Sequence, residues 1–318
     1  MAKSRPLSVE VRTPASSANL GPGYDVFAIA LERPTDGLKL LAEDSSRLKV
    51  DIRVRGARTV PLDARKNASS AVALKIAKDF GIRSHISMAL EKRVPIGVGL
   101  GSSGASSAAG AFAMNECFGL GLKLPELVNY ATHGEFVSSG SEHCDNVAAA
   151  LLGGFTVARP SPALEVTKFD PPESLRICLA TPTVTLPRRK TEYARSILPE
   201  RVELEKLVQN TASASMVVAG FARKDIRMIG RGMEDGVVEP TRAAMIPGYG
   251  RVRKMALQAG AVGVCISGAG PTVLALVDGS SVRPAEVLKE MRRAFGMEGV
   301  EAEGYWTSVG GGARRVDG

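Results

Sequence analysis

The sequence predicts an α+β protein in two domains, residues 1–165 and 166–318. Strand-like and helix-like patterns interleave within each half instead of separating. Four prolines, Pro160, Pro162, Pro171 and Pro172, punctuate the chain between the halves, as linkers do. A length of 318 residues suits two domains of ordinary size, and a hydrophobic content of 44% is enough to give each a core.

Residues 7–12 alternate apolar and polar side chains and read as a strand. Residues 13–23, with Pro14, Gly21, Pro22 and Gly23, read as a long turn. Strands follow at 38–41 and 48–54. Residues 68–80 carry Val72, Ile76 and Phe80 at helical spacing, with Gly81 as a stop. An apolar strand at 86–94 leads through a glycine-rich turn to a helix at 108–114. A helix at 124–133 opens on Pro125, where the missing N–H costs nothing. A helix at 146–152 ends at Gly153-Gly154, and 155–158 is a strand. In the second half a strand at 175–180 precedes helices at 201–222 and 247–259. Strands at 263–267 and 272–277 flank the turn Gly268-Ala269-Gly270-Pro271. A helix at 284–295 and a strand at 299–306 close the pattern.

Lys and Arg number 41 against 33 Asp and Glu, a net charge of +8. The basic clusters Arg188-Arg189-Lys190, Arg292-Arg293 and Arg314-Arg315 are short, and aromatics make up 5% with one Trp. Stacking platforms for single-stranded nucleic acid are therefore scarce, and no nucleic-acid partner is expected. The charge reads as a solvated surface able to attract small anions. No apolar run approaches the ~20 residues of a membrane-spanning helix, so no membrane partner is expected. Residues 1–6 carry basic side chains with no apolar stretch behind them, unlike a secretory signal; the expected location is the cytoplasm. Four scattered cysteines without a C-x-x-C, and three histidines, argue against a zinc site.

The chemistry concentrates in Pro95-Ile96-Gly97-Val98-Gly99-Leu100-Gly101-Ser102-Ser103. A strand, a glycine-rich turn and a helix opening on serines form a phosphate-binding arrangement. Glycines let backbone N–H groups approach an anion, and the first helical turn leaves its donors free. No Gly-Lys-[Ser/Thr] closes the run as in Walker A, and the glycine spacing is not G-x-G-x-x-G. On the loop alone, a structural turn that brings helix and strand close is the competing reading.

Two further segments combine with this loop. They are Pro14-Ala15-Ser16-Ser17-Ala18-Asn19-Leu20-Gly21-Pro22-Gly23-Tyr24-Asp25 and Ile266-Ser267-Gly268-Ala269-Gly270-Pro271-Thr272. Together the three resemble motifs 1, 2 and 3 of the GHMP kinases, in the family's order. The resemblance is closest to the homoserine kinase branch and runs nearly end to end. His143-Cys144-Asp145-Asn146-Val147-Ala148 is similar to its H-x-D-N-V-A pattern. Ala194-Arg195-Ser196-Ile197-Leu198-Pro199 is similar to A-R-x-I-L-P, and Glu239-Pro240-Thr241-Arg242 to E-P-x-R.

The resemblance implies an N-terminal domain like ribosomal protein S5 domain 2 and a ferredoxin-like C-terminal domain, with the active site between them. It implies transfer of phosphate from Mg-ATP to the side-chain hydroxyl of L-homoserine, and a homodimer. The ATP phosphates would lie on residues 95–103, with Asn67 near the adenine; a helix N-cap is the alternative role for Asn67. Val98 and Gly104 depart from the family's usual small residue and alanine. Ser103 and Glu135 match its Mg2+ ligands. Asn19, Asp25, His143, Arg195 and Arg242 match the homoserine site: Asp25 for the ammonium, the two arginines for the carboxylate. Asp145 resembles the catalytic aspartate of other GHMP kinases, whereas in homoserine kinases Asn146 takes that place and no protein base is assigned. The reaction then rests on positioning and electrostatics. The alternatives are a GHMP kinase acting on L-threonine, shikimate or mevalonate, and a non-enzymatic sensor or RNA-binding protein. A sensor would be expected to lose the Mg2+ ligands or the loop glycines, and both persist.

Overall fold

The computed structural model describes residues 7–185 and 190–316. Residues 1–6, and Arg188 and Arg189 of the first basic cluster, lie outside the described residues. The first unit is built on β1 (Leu7–Asn19), β2 (Gly23–Asp44), β3 (Lys49–Arg55) and β4 (Ser84–Glu91), with β5 (Phe155–Arg159) and β6 (Glu165–Phe169). Its helices are α1 (Ala68–Asp79), α2 (Ser102–Phe118), α3 (Leu124–Ser139) and α4 (Asp145–Leu152). The second unit holds β7 (Leu175–Pro182), α5 (Lys190–Ser196), α6 (Leu204–Arg223), α7 (Ile226–Arg231), α8 (Glu239–Ala243) and α9 (Tyr249–Gln258). It continues through β8 (Gly263–Ile266), β9 (Val273–Asp278), α10 (Pro284–Met297) and β10 (Ala302–Ser308). A short β11 (Arg314–Arg315) returns to pair with β1.

The first sheet runs β11-β1-β2-β4-β3, with β5 beside β2 and β6 beside β5. Helices α1 to α4 pack on it around Val9, Leu38, Leu40, Val72, Ile76 and Met114. The second sheet, β10-β7-β9-β8, is antiparallel throughout. Its period-two alternation divides its side chains between two cores. Cys178, Ala180, Val273, Ala275 and Val277 face α9 and α10. Ile177, Leu179, Leu274 and Leu276 face the other way, into a core shared with Phe27, Ile29, Val94, Leu100 and Phe155 of the first unit. Phe155 stacks on Phe221 of α6 at 4.0 Å between ring centroids. The seam between the units is thus itself hydrophobic core.

Several expectations need correction. β1 does not stop at residue 12: it continues through the expected turn to Asn19, and only residues 20–22 turn. Residues 13–19 are buried, so their backbone groups must pair, and Pro14 is accommodated at a register shift between Pro14 and Ser16. β2 is 22 residues long, well beyond the expected 38–41. Its stretch from Phe27 to Leu31 is buried on both faces and lacks the alternation that marks a strand. β6 lies inside the proline-rich segment and belongs to the first sheet. The change of sheet falls between Phe169 and Leu175, so the division after residue 165 cuts β6. The short helices α5, α7 and α8 give too few turns for a periodic signal.

One buried ion pair ties the first unit to its loop. Asp36 of β2 is fully buried, and Lys92, just after β4, is 6% exposed. Asp36 Oδ2 meets the Lys92 ammonium, and Oδ1 accepts the N–H groups of Arg93 and Val94 at 2.9 Å each. Lys92 Nζ donates further to Ser102 O at 2.8 Å and Ser106 Oγ at 3.0 Å. Removing one member of such a pair strands the other in low dielectric. Lys92→Met should therefore lower the free energy of unfolding by about 3–5 kcal/mol, read from urea denaturation with an unchanged slope.

Candidate active site

The loop from residue 95 to 101 joins β4 to α2. Gly97, Gly99 and Gly101 have φ of +78°, +89° and +61°, which side chains disfavour. A Cβ at Gly99 would strike the Ser267 carbonyl, and one at Gly101 the Ser16 hydroxyl. Pro95, Ile96 and Gly97 face solvent, Val98 is half-buried, and Leu100 is buried and anchors the loop. Ser102 Oγ turns back to Val94 O at 2.9 Å. Gly101 is the N-cap of α2 and offers no side chain to it, so the first N–H groups of the helix are free to take an anion. Gly104 lets α4 approach: a Cβ there would sit 3.0 Å from Asn146 Cβ.

The three motif segments meet at this loop. Ser16 N donates to Leu100 O at 3.2 Å, and Ser16 Oγ to Asn146 Oδ1 at 2.8 Å. From the turn after β8, Ser267 Oγ donates to Gly99 O at 2.7 Å and Thr272 N to Val98 O at 3.2 Å. Gly268 N reaches Ala18 O at 3.1 Å.

Ser103 Oγ donates to Glu135 Oε2 at 3.1 Å. Glu135, on α3, is 4% exposed, and its Oε1 has no hydrogen-bond partner. Burial pushes its carboxyl up to about 7, against the pull of Ser103 and His143. A buried carboxylate with a free oxygen beside a hydroxyl fits a hard dication, whose charge would keep it ionised. Among the described residues no cluster of three or more His, Cys, Asp or Glu could hold a metal, so a cation here needs phosphate oxygens too.

The acceptor candidates also converge. Asp25 Oδ2 pairs with Arg195 Nη2 at 2.7 Å, and Asp25 Oδ1 lies 3.6 Å from His143 Nδ1. Arg195 Nη2 lies 3.2 Å from the same ring nitrogen. Burial would raise the Asp25 carboxyl, but His143 and Arg195 outweigh it and hold it below its ordinary value. Asp25 in turn raises the His143 imidazole. Arg242 is 5% exposed; its Nη1 and Asn19 Nδ2 both donate to Gly268 O at 3.0 Å. Asn19 and Asp25 hold φ of +77° and +57°, a conformation that costs free energy and clusters at functional sites.

Asp145 is 3% exposed, and burial pushes its carboxyl up to about 6, with the Asp25 charge adding to the effect. Its Oδ1 accepts Asn146 N at 2.7 Å. Asn146 is the residue of the two that touches the loop, through Ser16 and Gly101. Asn67 takes the N-cap role: its Oδ1 accepts Ser69 N at 3.0 Å, and its Nδ2 donates to Pro61 O at 2.9 Å.

Sequence reasoning passed over four residues. The Tyr24 ring lies 5.6 Å from the Arg195 guanidinium and 5.0 Å from that of Arg242, a cation–π platform for both. Tyr24 stands inside motif 1, but no pattern in the chain marks its ring as facing two arginines. Lys92 sits in a Glu-Lys-Arg run that reads as solvated charge. Lys190, expected on the surface with its basic neighbours, is buried and donates to Gly270 O; burial lowers its ammonium to about 8. Glu239 takes a bond from Tyr249 OH and one from Ile266 N at 3.1 Å, tying the helix that carries Arg242 to β8 and α9. The E-P-x-R segment was the available signal for it.

The chain resembles known proteins along its whole length. The family description "GHMP kinases N terminal domain" matches residues 67–154, and "GHMP kinases C terminal" residues 217–296. The chain belongs to the GHMP kinases. A homoserine kinase from Haloarcula marismortui is 43% identical over 303 residues, 95% of this chain and 98% of that one. One from Thermoplasma volcanium is 36% identical over 310 residues, 98% and 97% of the two chains. The crystal structure of homoserine kinase from Cytophaga hutchinsonii superposes with a TM-score of 0.90 at 34% identity, covering 99% of each chain. Within the GHMP kinases, the chain is a member of the homoserine kinase family.

Burial pushes the Glu239 carboxyl up from 4.5 to about 7. As pH rises the unfolded chain ionises first, so this contribution to stability is complete below 4.5 and is lost as pH climbs through about 7. The whole effect is on the order of 3 kcal/mol. Thermal melts of Glu239→Gln across that range should show a weaker decline with pH than the parent protein.

Proposed function

We propose that this chain transfers the γ-phosphoryl group of ATP to the side-chain hydroxyl of L-homoserine, releasing ADP and O-phospho-L-homoserine. The carrying observation is that the Asp25–His143–Arg195 cluster acts on Asp145, and that the next residue, Asn146, bonds Ser16 and lies beside Gly101 at the uncapped start of α2. A zwitterion with one hydroxyl matches the cluster. Its ammonium takes Asp25, and its carboxylate takes Arg195 and Arg242 in place of their present partners.

The triphosphate lies on residues 95–103, held by backbone N–H groups at the start of α2. Asn67 fixes the opening turn of α1 on the nucleotide side. Ser103 and Glu135 would hold Mg2+ together with the phosphates, where it would supply charge neutralisation for the transferring group. Asn146 orients the acceptor hydroxyl, and Asp145 orients Asn146. The hydroxyl attacks the γ-phosphorus, the bond to ADP breaks, and the proton passes to a phosphoryl oxygen. Such a loose transition state asks for positioning and charge more than for a base. The first unit, through Phe169, carries the nucleotide together with Asn19, Asp25 and His143, the second, from Leu175, closes the acceptor side with Arg195 and Arg242, and the enzyme works as a cytoplasmic homodimer. Among the described residues no helix is long and apolar enough to cross a membrane.

An acceptor panel checks the substrate. With Mg-ATP fixed, kcat/KM for L-homoserine should exceed that for L-threonine, shikimate or mevalonate by a factor on the order of 100. A preference for any other member would displace this reading. The base-free account makes a separate demand. Asn146→Ala should lower kcat by roughly 100-fold or more, and Asp145→Asn by less, both without loss of fold by circular dichroism. The reverse ranking would make Asp145 the base.

A further inference from the structure

Lys190 opens α5 and is 9% exposed, yet among the described residues no carboxylate pairs with it. An ammonium has three donors, and among the described residues only Gly270 O accepts from this one. Burial, and then the Arg242 guanidinium, lower the ammonium to about 8, so it stays charged at neutral pH. The nearest charge is therefore another cation. A buried charge left unmatched costs stability, which makes the position a receptor for an anion.

The surroundings select the anion. Lys190 and Ala194, one turn apart, are the buried residues of α5. Ala194 O accepts Arg242 Nε at 3.3 Å, on the acceptor side. Gly270 O, which Lys190 holds, comes within 2.9 Å of where a Cβ on Gly99 would sit, on the side of the phosphate loop. Two anions enter this cleft in the proposed reaction. The acceptor carboxylate already has Arg195 and Arg242. The phosphoryl group on the loop has backbone N–H groups but no side-chain cation, because Lys92 is spent on Asp36.

We propose that Lys190 binds the γ-phosphoryl group of ATP from the side opposite the loop and matches its charge during transfer. The acceptor oxygen bonds to the γ-phosphorus, the bond to ADP breaks, and the acceptor proton goes to a phosphoryl oxygen. Lys190 keeps its own protons and donates to the equatorial oxygens throughout. The proposal rests on the phosphates lying on residues 95–103, and it holds whichever hydroxyl is the acceptor.

Calorimetric titration of the full chain with Mg-ADP and with the non-hydrolysable analogue Mg-β,γ-imido-ATP tests this, since only the analogue carries the third phosphate. Lys190→Met should bind the analogue roughly tenfold more weakly and ADP within about twofold of the parent. Its kcat should fall by about 100-fold, with KM for L-homoserine within about threefold. Its melting temperature should not fall, because an apolar chain replaces an unmatched buried charge. A lysine that merely fastens α5 would give the opposite split: a raised KM as Arg195 shifts, and no change for either nucleotide. That result, or an unchanged kcat, overturns the proposal. Gly97→Asp tests the reading beneath it. Nothing lies within 4 Å of a Cβ there, and a carboxylate should repel both nucleotides, weakening each by roughly tenfold or more. If it weakens neither, the loop assignment fails and the proposal with it. If it weakens both while Lys190→Met does not distinguish the analogue from ADP, the loop assignment stands and the role of Lys190 alone is overturned.

Discussion

Lys92 spans both ends of the phosphate loop: its ammonium holds Asp36 on one side and the Ser102 carbonyl and Ser106 hydroxyl on the other. β2, the end of β4 and the first turn of α2 are thereby held in one geometry. The pair is costly to bury, and its members repay that cost only because every remaining donor and acceptor has a partner. The benefit appears at the other end of the helix turn. With its side-chain contacts directed behind the loop, α2 can begin on a bare glycine and leave its first N–H groups facing the cleft.

The second unit completes what the first begins. Ser267 and Thr272 bond to the carbonyls of Gly99 and Val98, so the loop is clamped from the far side by a turn more than 160 residues away. Gly268 O then accepts from both Asn19 and Arg242, so the turn that clamps the loop also holds two residues of the proposed acceptor site. The seam core around Phe27, Phe155 and Phe221 keeps these polar contacts in register. Positioning of this kind is what phosphoryl transfer demands of a protein.

Elements with a clean period were legible in the sequence: α1, α6, α9, α10 and the strands β7 to β9. The unread parts share a physical cause. Burial on both faces erases alternation, which hid the length of β2 and the continuation of β1 through Pro14. The residues expected at the site, Asn67 and Glu135 apart, sit in three compact segments and three short patterns, and the structure brings those segments together. Tyr24, Lys190 and the Asp36–Lys92 pair were not. Asp36 and Lys92 are far apart in sequence, and each alone looks like a surface charge. Their meaning comes from pairing, which composition and spacing do not reveal.

The acceptor cluster satisfies its own charges: Asp25 faces Arg195 and His143, and both guanidiniums lie over Tyr24. If the cluster takes the acceptor, as proposed, that arrangement makes the choice of acceptor a question of complete exchange. A ligand with both an ammonium and a carboxylate can replace the Asp25–Arg195 bond with two new ones, leaving no charge unmatched. A ligand with only a carboxylate would draw Arg195 away and leave Asp25 half-buried with His143 alone. One with only hydroxyls could not displace the ion pair at all. The penalty for an unpaired, partly buried charge exceeds the gain from one good contact, so discrimination arises from what the wrong ligand leaves behind. Tyr24 adds to this by giving Arg195 and Arg242 one ring in common, at 5.6 Å and 5.0 Å from its centroid.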